Sequence, residues 1–524
     1  YLEIYNSLPF AVNLQDWILQ IGASEKTFEN IEIDANGYLI VAKEEAAEEF
    51  SEYGRFYGFS SFSLTNGGQD LKLISREGDL IYGISYEGDW YNDEEKMYGG
   101  WSLEMINHNN ICSAKENFTA SNSLDGGTPG SQNSVNSHII FYPAPIKLEM
   151  LDNNKIQIYF NQAMDSLSAT DKSNYGLQGE TSSAFTTYFS GFKPDKLILT
   201  FEDEFEKQKV YYLILKKGLQ NCSGLEMHRD TSIAFGIAEI SEPGDIVINE
   251  ILFNPLGDGV DFVELYNNSF KIFDFSQLQL ASVRNSPPNP PDTSYYDIST
   301  ESEMFMPGTY MCLTSSPQMV KSQYYSSNPM GFIKMESFPS FSNEEGVALL
   351  LNENNVLLDS LYYNEDMHFP LLNYVDGISL ERISFMAPSY NSTSWHSAAE
   401  SVGFATHAYE NSQLQNPEIN EEIKISPEIF SPDSDGYNDV VEISYSFTQP
   451  GFMMSIDIYN ASGYPIRKLV NNEYLGNSGV FYWDGIQDDN SKAPMGIYIV
   501  YITAFDLDGN VKKYKRVVVV GGVE

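Results

Sequence analysis

Runs of β-branched and aromatic residues, broken by Gly, Pro, Asn and Asp, recur along the whole chain and predict strands. Near the C-terminal end, Val441, Ile443, Tyr445 and Phe447 occupy alternate positions of one run, and Ile497, Ile499, Tyr501, Thr503 and Phe505 do so in another. Each set is expected to share one face of its strand. Asp508-Gly-Asn510 then joins the second run to Val511–Val520 as an antiparallel hairpin. With Ser455–Asn460, Pro465–Val470 and Val480–Gly485 the region holds about seven strands, as one β-sandwich does. Upstream, Ile146–Met150 and Lys155–Phe160 flank Asp152-Asn-Asn154 as another hairpin, and Leu197–Phe201 and Tyr211–Leu215 add strands. Val12–Trp17 and Phe62–Asn66 alternate like half-buried strands. Only Ala42–Phe50, with Lys43-Glu-Glu-Ala-Ala-Glu-Glu, favours a short surface helix.

Ile246–Asn267 holds two such runs, Ile-Val-Ile-Asn-Glu-Ile-Leu-Phe and Val-Asp-Phe-Val-Glu-Leu-Tyr-Asn, joined by a Pro- and Gly-containing loop. The second run also opens the chain as Tyr1-Leu-Glu-Ile-Tyr-Asn6, so Glu3 corresponds to Glu264 at an offset of about 261. Leu64–Asn66 corresponds to Phe341–Asn343, and Ser102–Glu104 to Ser379–Glu381, at an offset of about 277. An insertion around Pro287–Pro291 accounts for the change; its clustered prolines read as a stiff surface loop. Copy one lacks an Ile-Asn-Glu-Ile strand, and the sequence is therefore expected to begin inside a domain.

Ile248-Asn-Glu-Ile251, Phe262–Asn267 and Tyr1–Asn6 resemble the lamin tail domain, as do the closing patterns. These are Gly100-Trp-Ser-Leu-Glu104 with Gly127–Gly130 and Asn133-Ser134, and Gly377–Arg382 with Trp395 and Asn411-Ser412, where His407 stands in place of Pro129. The resemblance implies immunoglobulin-like sandwiches of a kind found, often in several copies, in secreted bacterial proteins. Phe160-Asn-Gln-Ala-Met-Asp165 is similar to the signature of bacterial Ig-like modules related to surface-layer proteins. Ile458–Gly463, Arg467–Val470, Trp483–Gly485 and Met495–Tyr498 resemble the FlgD-like Ig fold. Related modules end many secreted proteins of the Bacteroidota and resemble sorting domains read by the type IX secretion system; a separate sorting tail after Val520 is missing. The expectation is an all-β chain of four tandem Ig-like sandwiches in series with modest interfaces. They are a lamin-tail-like domain at 1–137, a bacterial Ig-like domain at 138–240, a second lamin-tail-like domain at 241–413 and a FlgD-like domain at 414–524. Residues 411–424, poor in apolar side chains, read as the linker into the last.

The chain has 524 residues, of which 42% are hydrophobic, enough for several cores. Thirty Lys and Arg against 73 Asp and Glu leave a net charge of −43. That charge repels polyphosphate and anionic lipid, so nucleic-acid and membrane-surface binding are not expected. No apolar run is long enough to span a bilayer as a helix, and no charged-then-apolar leader stands at Tyr1. Cys112, Cys222 and Cys312 fall in three different expected domains, which argues for buried free thiols rather than a disulfide framework.

Candidate chemistry is sparse. The sequence has no Gly-x-Ser-x-Gly, His-Glu-x-x-His, Walker loop or paired Cys-x-x-Cys, and His108, His138, His228, His368, His396 and His407 lack metal-ligand spacing. Glu250 and Glu264 fall on two expected strands whose pairing would bring two carboxylates together, as they are in glycosidases. The recurrence of Glu264 as Glu3 instead suggests a carboxylate that accepts from backbone donors in each module. Ser431-Pro-Asp433-Ser-Asp435-Gly-Tyr-Asn438-Asp439 offers Asp433, Asp435, Asn438 and Asp439 as oxygen ligands for a structural calcium. Asx-turns explain the same residues without a metal.

The functional expectation is a non-catalytic, exported scaffold or adhesion protein, at the surface or secreted, linked to type IX secretion and contacting a surface protein or glycan. The alternative is the accessory region of a larger secreted hydrolase or nuclease.

Overall fold

The computed structural model describes residues 1–93, 95–113, 115–178, 185–190, 194–284, 291–415 and 422–522. Most of the proline loop and the middle of the linker lie outside them. Among the described residues the α-helices are the short segments Ala47–Phe50, Ser166–Thr170 and Pro317–Gln323; the rest of the regular structure is almost wholly strand. The chain is all-β. It forms two compact units, one of residues 1–206 with 210–236 and one of 207–209 with 237–524.

In the first unit, copy one of the repeat builds a four-stranded sheet from Ser24–Thr27, Ile18–Ile21, Gly68–Ile74 and Leu80–Glu87. Opposite it, Leu2–Tyr5 pairs with Tyr38–Lys43, which pairs in parallel with Phe56–Phe59. Leu103–Met105 with Phe118–Ala120 forms a separate ribbon. Leu19, Ile21, Leu39, Val41 and Trp90 fill the core between the sheets. Glu44–Ala46 and Ala47–Phe50 form the expected surface helix in two short turns. The two alternating runs behave differently from expectation: only Val12–Asn13 is strand in the first, and 62–66 is irregular. Phe62 and Leu64 instead pack as partly buried anchors of loops.

The following module stacks a four-stranded sheet, Pro145–Asp152, Lys155–Phe160, Lys196–Phe201 and Phe185–Phe189, with a three-stranded one, Tyr175–Leu177, Tyr211–Leu215 and Thr231–Phe235. Asp165, the last residue of the Phe-Asn-Gln-Ala-Met-Asp signature, caps helix Ser166–Thr170 by accepting from Ser168 N at 2.7 Å. The cysteine expectation fails here. Cys112 and Cys222 form a disulfide across 110 residues, with Cα atoms 5.6 Å apart. Placing the two cysteines in separate domains had excluded a bond within a domain but not one between adjacent modules. Cys312 is the buried free thiol.

The second unit contains copy two with its sheet complete. Six strands run in the order Phe332–Lys334, Tyr310–Thr314, Phe262–Asn267, Ile246–Leu252, Leu380–Arg382 and Trp395–Ser397. They face Asp292–Asp297, Leu278–Arg284, Glu345–Asn352 and Leu357–Asn364. Every residue of Ile246–Leu252 is buried, as befits a central strand covered on both faces. The last module pairs Glu422–Ser426, Val441–Ser446 and Ser478–Trp483 in one sheet. Its second sheet holds Ile429–Phe430, Val511–Val520, Gly496–Phe505, Met453–Asn460 and Pro465–Tyr474, eight strands in all. Val441, Ile443, Tyr445 and Phe447 point into the core, and the hairpin at Asp508–Asn510 is present. In Gly496–Phe505, however, Tyr498, Val500, Ile502 and Ala504 are the buried set. Both faces of this strand are apolar in sequence, so alternation alone did not say which one packs.

Within the second unit the modules are not loosely linked beads. Phe369, Met453 and Tyr474 form a shared buried cluster, the Phe369 and Tyr474 rings stacking 4.4 Å apart. Gln413 Nε2 donates to the carbonyls of Ser397, 3.1 Å away, and Leu475, 3.0 Å away.

Candidate functional site

The acidic loop precedes strand Val441–Ser446, and its turns bring three carboxylates together. Oxygens of Asp433, Asp435 and Asp439 lie within 4.8 Å of one another near the surface. Local backbone amides hold them: Asp439 accepts from Ser434 N at 2.6 Å and Gly436 N at 2.8 Å. Asp433 accepts from Asp435 N at 3.2 Å, and Asp435 from Tyr437 N at 2.8 Å. Asn438 is not part of the carboxylate group; its carbonyl accepts from Ser431 N at 2.9 Å and its φ is +53°. Ser434, at +67°, bends the loop in the same sense. The donors are hard oxygens of the kind calcium takes, and an Asx-turn network engages them.

A second carboxylate cluster is buried in copy two. A β-bulge at Asn249 interrupts the pairing of Ile246–Leu252 with Phe262–Asn267. The bulge shifts the alternation, so Ile246, Ile248, Ile251 and Phe253 all enter the core between the sheets. Glu250 then faces outward, level with Glu264 on one neighbouring strand and Glu381 on the other. All three are fully buried, because residues 404–413 cross over them. Thr406 N donates to Glu250 at 2.9 Å, Ala408 N donates to Glu264, and Gln413 N donates to Glu381 at 2.9 Å. The Ser379 hydroxyl reaches Glu250, and the Thr406 hydroxyl reaches Glu381 at 2.6 Å. Asn249 Nδ2 bridges Glu264 and Asn411 Oδ1 at 2.6 Å each.

Burial pushes the Glu250 carboxyl up to about 8, with the neighbouring Glu381 charge adding to it. Burial also raises Glu264 well above, and Glu381 above, the usual carboxylate range. The cluster clasps the closing segment to the sheet, and the repeated glutamate does accept backbone donors. Beside it, buried Arg382 pairs with Asp359 at 2.9 Å and donates to the Ile248 carbonyl at 3.0 Å. His407 sits among the rings of Phe262, Tyr324 and Phe332, and burial lowers its pKa to about 4. The turn survives the replacement of Pro129 by His407, since Ala408 takes φ +66° where Gly130 takes +73°.

Copy one repeats the clasp in a looser form. Gly130 N donates to Glu3 at 2.5 Å, and the hydroxyls of Thr128 and Ser134 donate to Glu104 at 2.9 and 2.7 Å. Asn133 Nδ2 donates to the Met105 carbonyl at 3.0 Å, as Asn411 does to that of Arg382 at 2.9 Å. Sequence reasoning weighed Glu250 and Glu264 but missed Glu381 as their partner and Arg382–Asp359 altogether. The recurrence of Ser-Leu-Glu at 102–104 and 379–381 was the available signal for Glu381.

Residues 423–520, the final sandwich, match the CHU_C type IX secretion signal domain. A type IX signal marks a protein for export. The chain is thus an exported, surface or extracellular protein linked to type IX secretion. No curated protein matches the sequence. Among solved structures, the chain is similar to PorZ, a surface component of the type IX system of Porphyromonas gingivalis, at 9% identity over 98% of this chain and 74% of that one, TM-score 0.18. It is similar to latent PorU of the same organism at 10% identity over 86% and 40%, TM-score 0.16. Similarity to the N-terminal part of the bacterial S-layer protein SbsC is 15% over 32% of this chain and 44%, under half, of that one, TM-score 0.17. Likenesses this weak carry no inference about shared activity.

Proposed function

We propose that residues 1–524 serve an exported surface or secreted protein as a non-catalytic scaffold or adhesion region, delivered through its C-terminal sandwich. The observation that carries the reading is the signal-domain match over 423–520, which occupies a complete sandwich with its own core. The modules before it resemble lamin-tail and Ig-like domains and supply stiff spacing and surface for a protein or glycan partner. The last module also resembles the FlgD-like Ig fold. The buried carboxylates favour a structural role, since all three are fully buried and their oxygens are engaged by backbone amides and hydroxyls. A reporter fused to residues 414–524 should leave a Bacteroidota cell with a working type IX system and stay inside one without it. The purified chain should give background turnover of nucleic acids, peptides and glycans; turnover abolished by Glu264→Gln overturns the non-catalytic reading.

In the same reading the acidic loop holds a structural calcium through Asp433, Asp435 and Asp439, with Asn438 shaping the turn. Calcium bound to the folded loop stabilises it by mass action. Chelator should lower the unfolding temperature of the signal sandwich, and Asp435→Ala should abolish that response. Identical melting curves in calcium and in chelator exclude the metal.

A further inference from the structure

The signal sandwich buries one face of its five-stranded sheet and leaves much of the other open. Tyr498, Val500, Ile502 and Ala504 enter the core, so Ile497, Ile499, Tyr501, Thr503 and Phe505 stand on the outer face. Strand pairing sets their neighbours. Ile497 stands beside Val519, which stands beside Ile429. One row along, Ile499 lies between Val517 and Tyr459, and in the next row Tyr501 lies between Lys515 and Asp457. At the far end Phe505, paired with Met453, packs into the cluster with Phe369 of copy two, so that end is occupied. The aliphatic end is not: Ile429, Ile497 and Val517 are 61%, 54% and 51% exposed. Contiguous apolar rows with a polar border are the surface of an interaction site rather than of a free sheet.

We propose that this outer face pairs with the same face of a second copy of the chain, about a two-fold axis parallel to Gly496–Phe505. The face is self-complementary about that line. The central column from Ile497 to Thr503 would meet itself, and the column on one side would meet the column on the other. Val517 would then lie over Tyr459 of the second copy and Lys515 over its Asp457, each contact made twice. Charge selects this face as well. Two chains of net charge −43 repel, but around Asp457 the face carries Lys468, Lys513 and Lys515, so approach costs least here. The open part of the sheet spans four residue rows and five strands, roughly 27 by 24 Å at ordinary strand spacings, or about 650 Å2 per copy. Stable interfaces bury about 800 Å2 per partner, so a weak, reversible dimer is the expected product.

Sedimentation equilibrium of the whole chain should show monomer exchanging with dimer, with a Kd of about 1–100 µM. Ile499→Glu sets two carboxylates against each other across the axis and should leave monomer alone. Lys515→Asp, a change at the surface that the fold tolerates, should raise the Kd at least about tenfold by facing two carboxylates twice over. Adding Asp457→Lys to it should restore the original value, which a merely structural defect would not do. A chain that stays monomeric at several hundred micromolar overturns the proposal. So does a dimer that both single variants leave intact, or one lost in Lys515→Asp and not recovered in the double variant. Unchanged unfolding temperatures of the variants keep misfolding from imitating a lost dimer.

Discussion

Copy one and copy two carry the same clasp, and what surrounds each carboxylate decides its chemistry. In copy two, the central strand brings Glu250 between Glu264 and Glu381 and closes the face, so burial lifts all three above the usual range. In copy one, burial of Glu104 is outweighed by the hydroxyls of Ser134, Ser121, Thr128 and Ser102, and its pKa lies below the ordinary value. The copies also differ in their ties to the next module. Copy one's module is joined covalently through Cys112–Cys222, while copy two's uses the Phe369–Tyr474 stack and Gln413.

The covalent tie should be the costliest to remove. Cys112→Ser should destabilise the first unit by about 4–5 kcal/mol, the loop entropy of a bridge this long, and leave the second unit unchanged. Separate denaturant transitions for the two units would report it. Next comes Glu264→Ala, which strands Ala408 N–H and Asn249 in a dry site and should cost about 3 kcal/mol. Glu3→Ala, at a half-buried site, should cost about 1 kcal/mol. Equal losses would mean that the deeper burial of Glu264 adds nothing to its clasp.

The pH response sharpens the same contrast. A carboxyl whose folded pKa is raised favours the fold fully below its unfolded value of 4.5, and that contribution disappears as pH rises through about 8 for Glu250. The second unit should therefore melt at a lower temperature at pH 8.5 than at pH 5.5, and Glu250→Gln should flatten the difference. Glu3, lifted to about 7 chiefly by burial, should give the first unit a weaker trend of the same sign that ends sooner. The smallest effect concerns the shared turn. Ala408→Gly should stabilise the second unit by about 1 kcal/mol by relieving the left-handed alanine. The reverse change is not small: Gly130→Ala should destabilise copy one by more than Ala408→Gly stabilises copy two, since its added Cβ would lie 1.8 Å from the Tyr53 carbonyl oxygen.

Much of the fold was legible because alternation and turn residues are local signals. The repeat, the Asp508–Asn510 hairpin and the helix near Ala47 all follow from neighbours in sequence. The inward face of Gly496–Phe505 did not, because Ile497 and Tyr498 are both apolar and only the opposing sheet chooses between them. Phe62–Asn66 failed for a similar reason, since its alternation serves a loop that finds no strand partner. The acidic loop was visible because Asp433, Asp435 and Asp439 fall within one turn. Glu250, Glu264 and Glu381 meet only through strand pairing across more than a hundred residues, with a bulge at Asn249 that no local pattern announces. The Cys112–Cys222 bond was hidden by the same distance, compounded by a domain boundary drawn between its ends.

That bond also changes how the molecule would bear a pull. A surface protein tethered at one end and gripped at the other transmits tension through its backbone. A crosslink between residues 112 and 222 diverts that tension past everything between them. The 110 bypassed steps would pay out roughly 360–400 Å if extended. Under load in an oxidising medium this length stays locked away, so most of the second module is shielded from stretching and the first unit yields far less slack than its chain length allows. A thiol reductant would release it, giving single-molecule extension traces a longer step for the same unit.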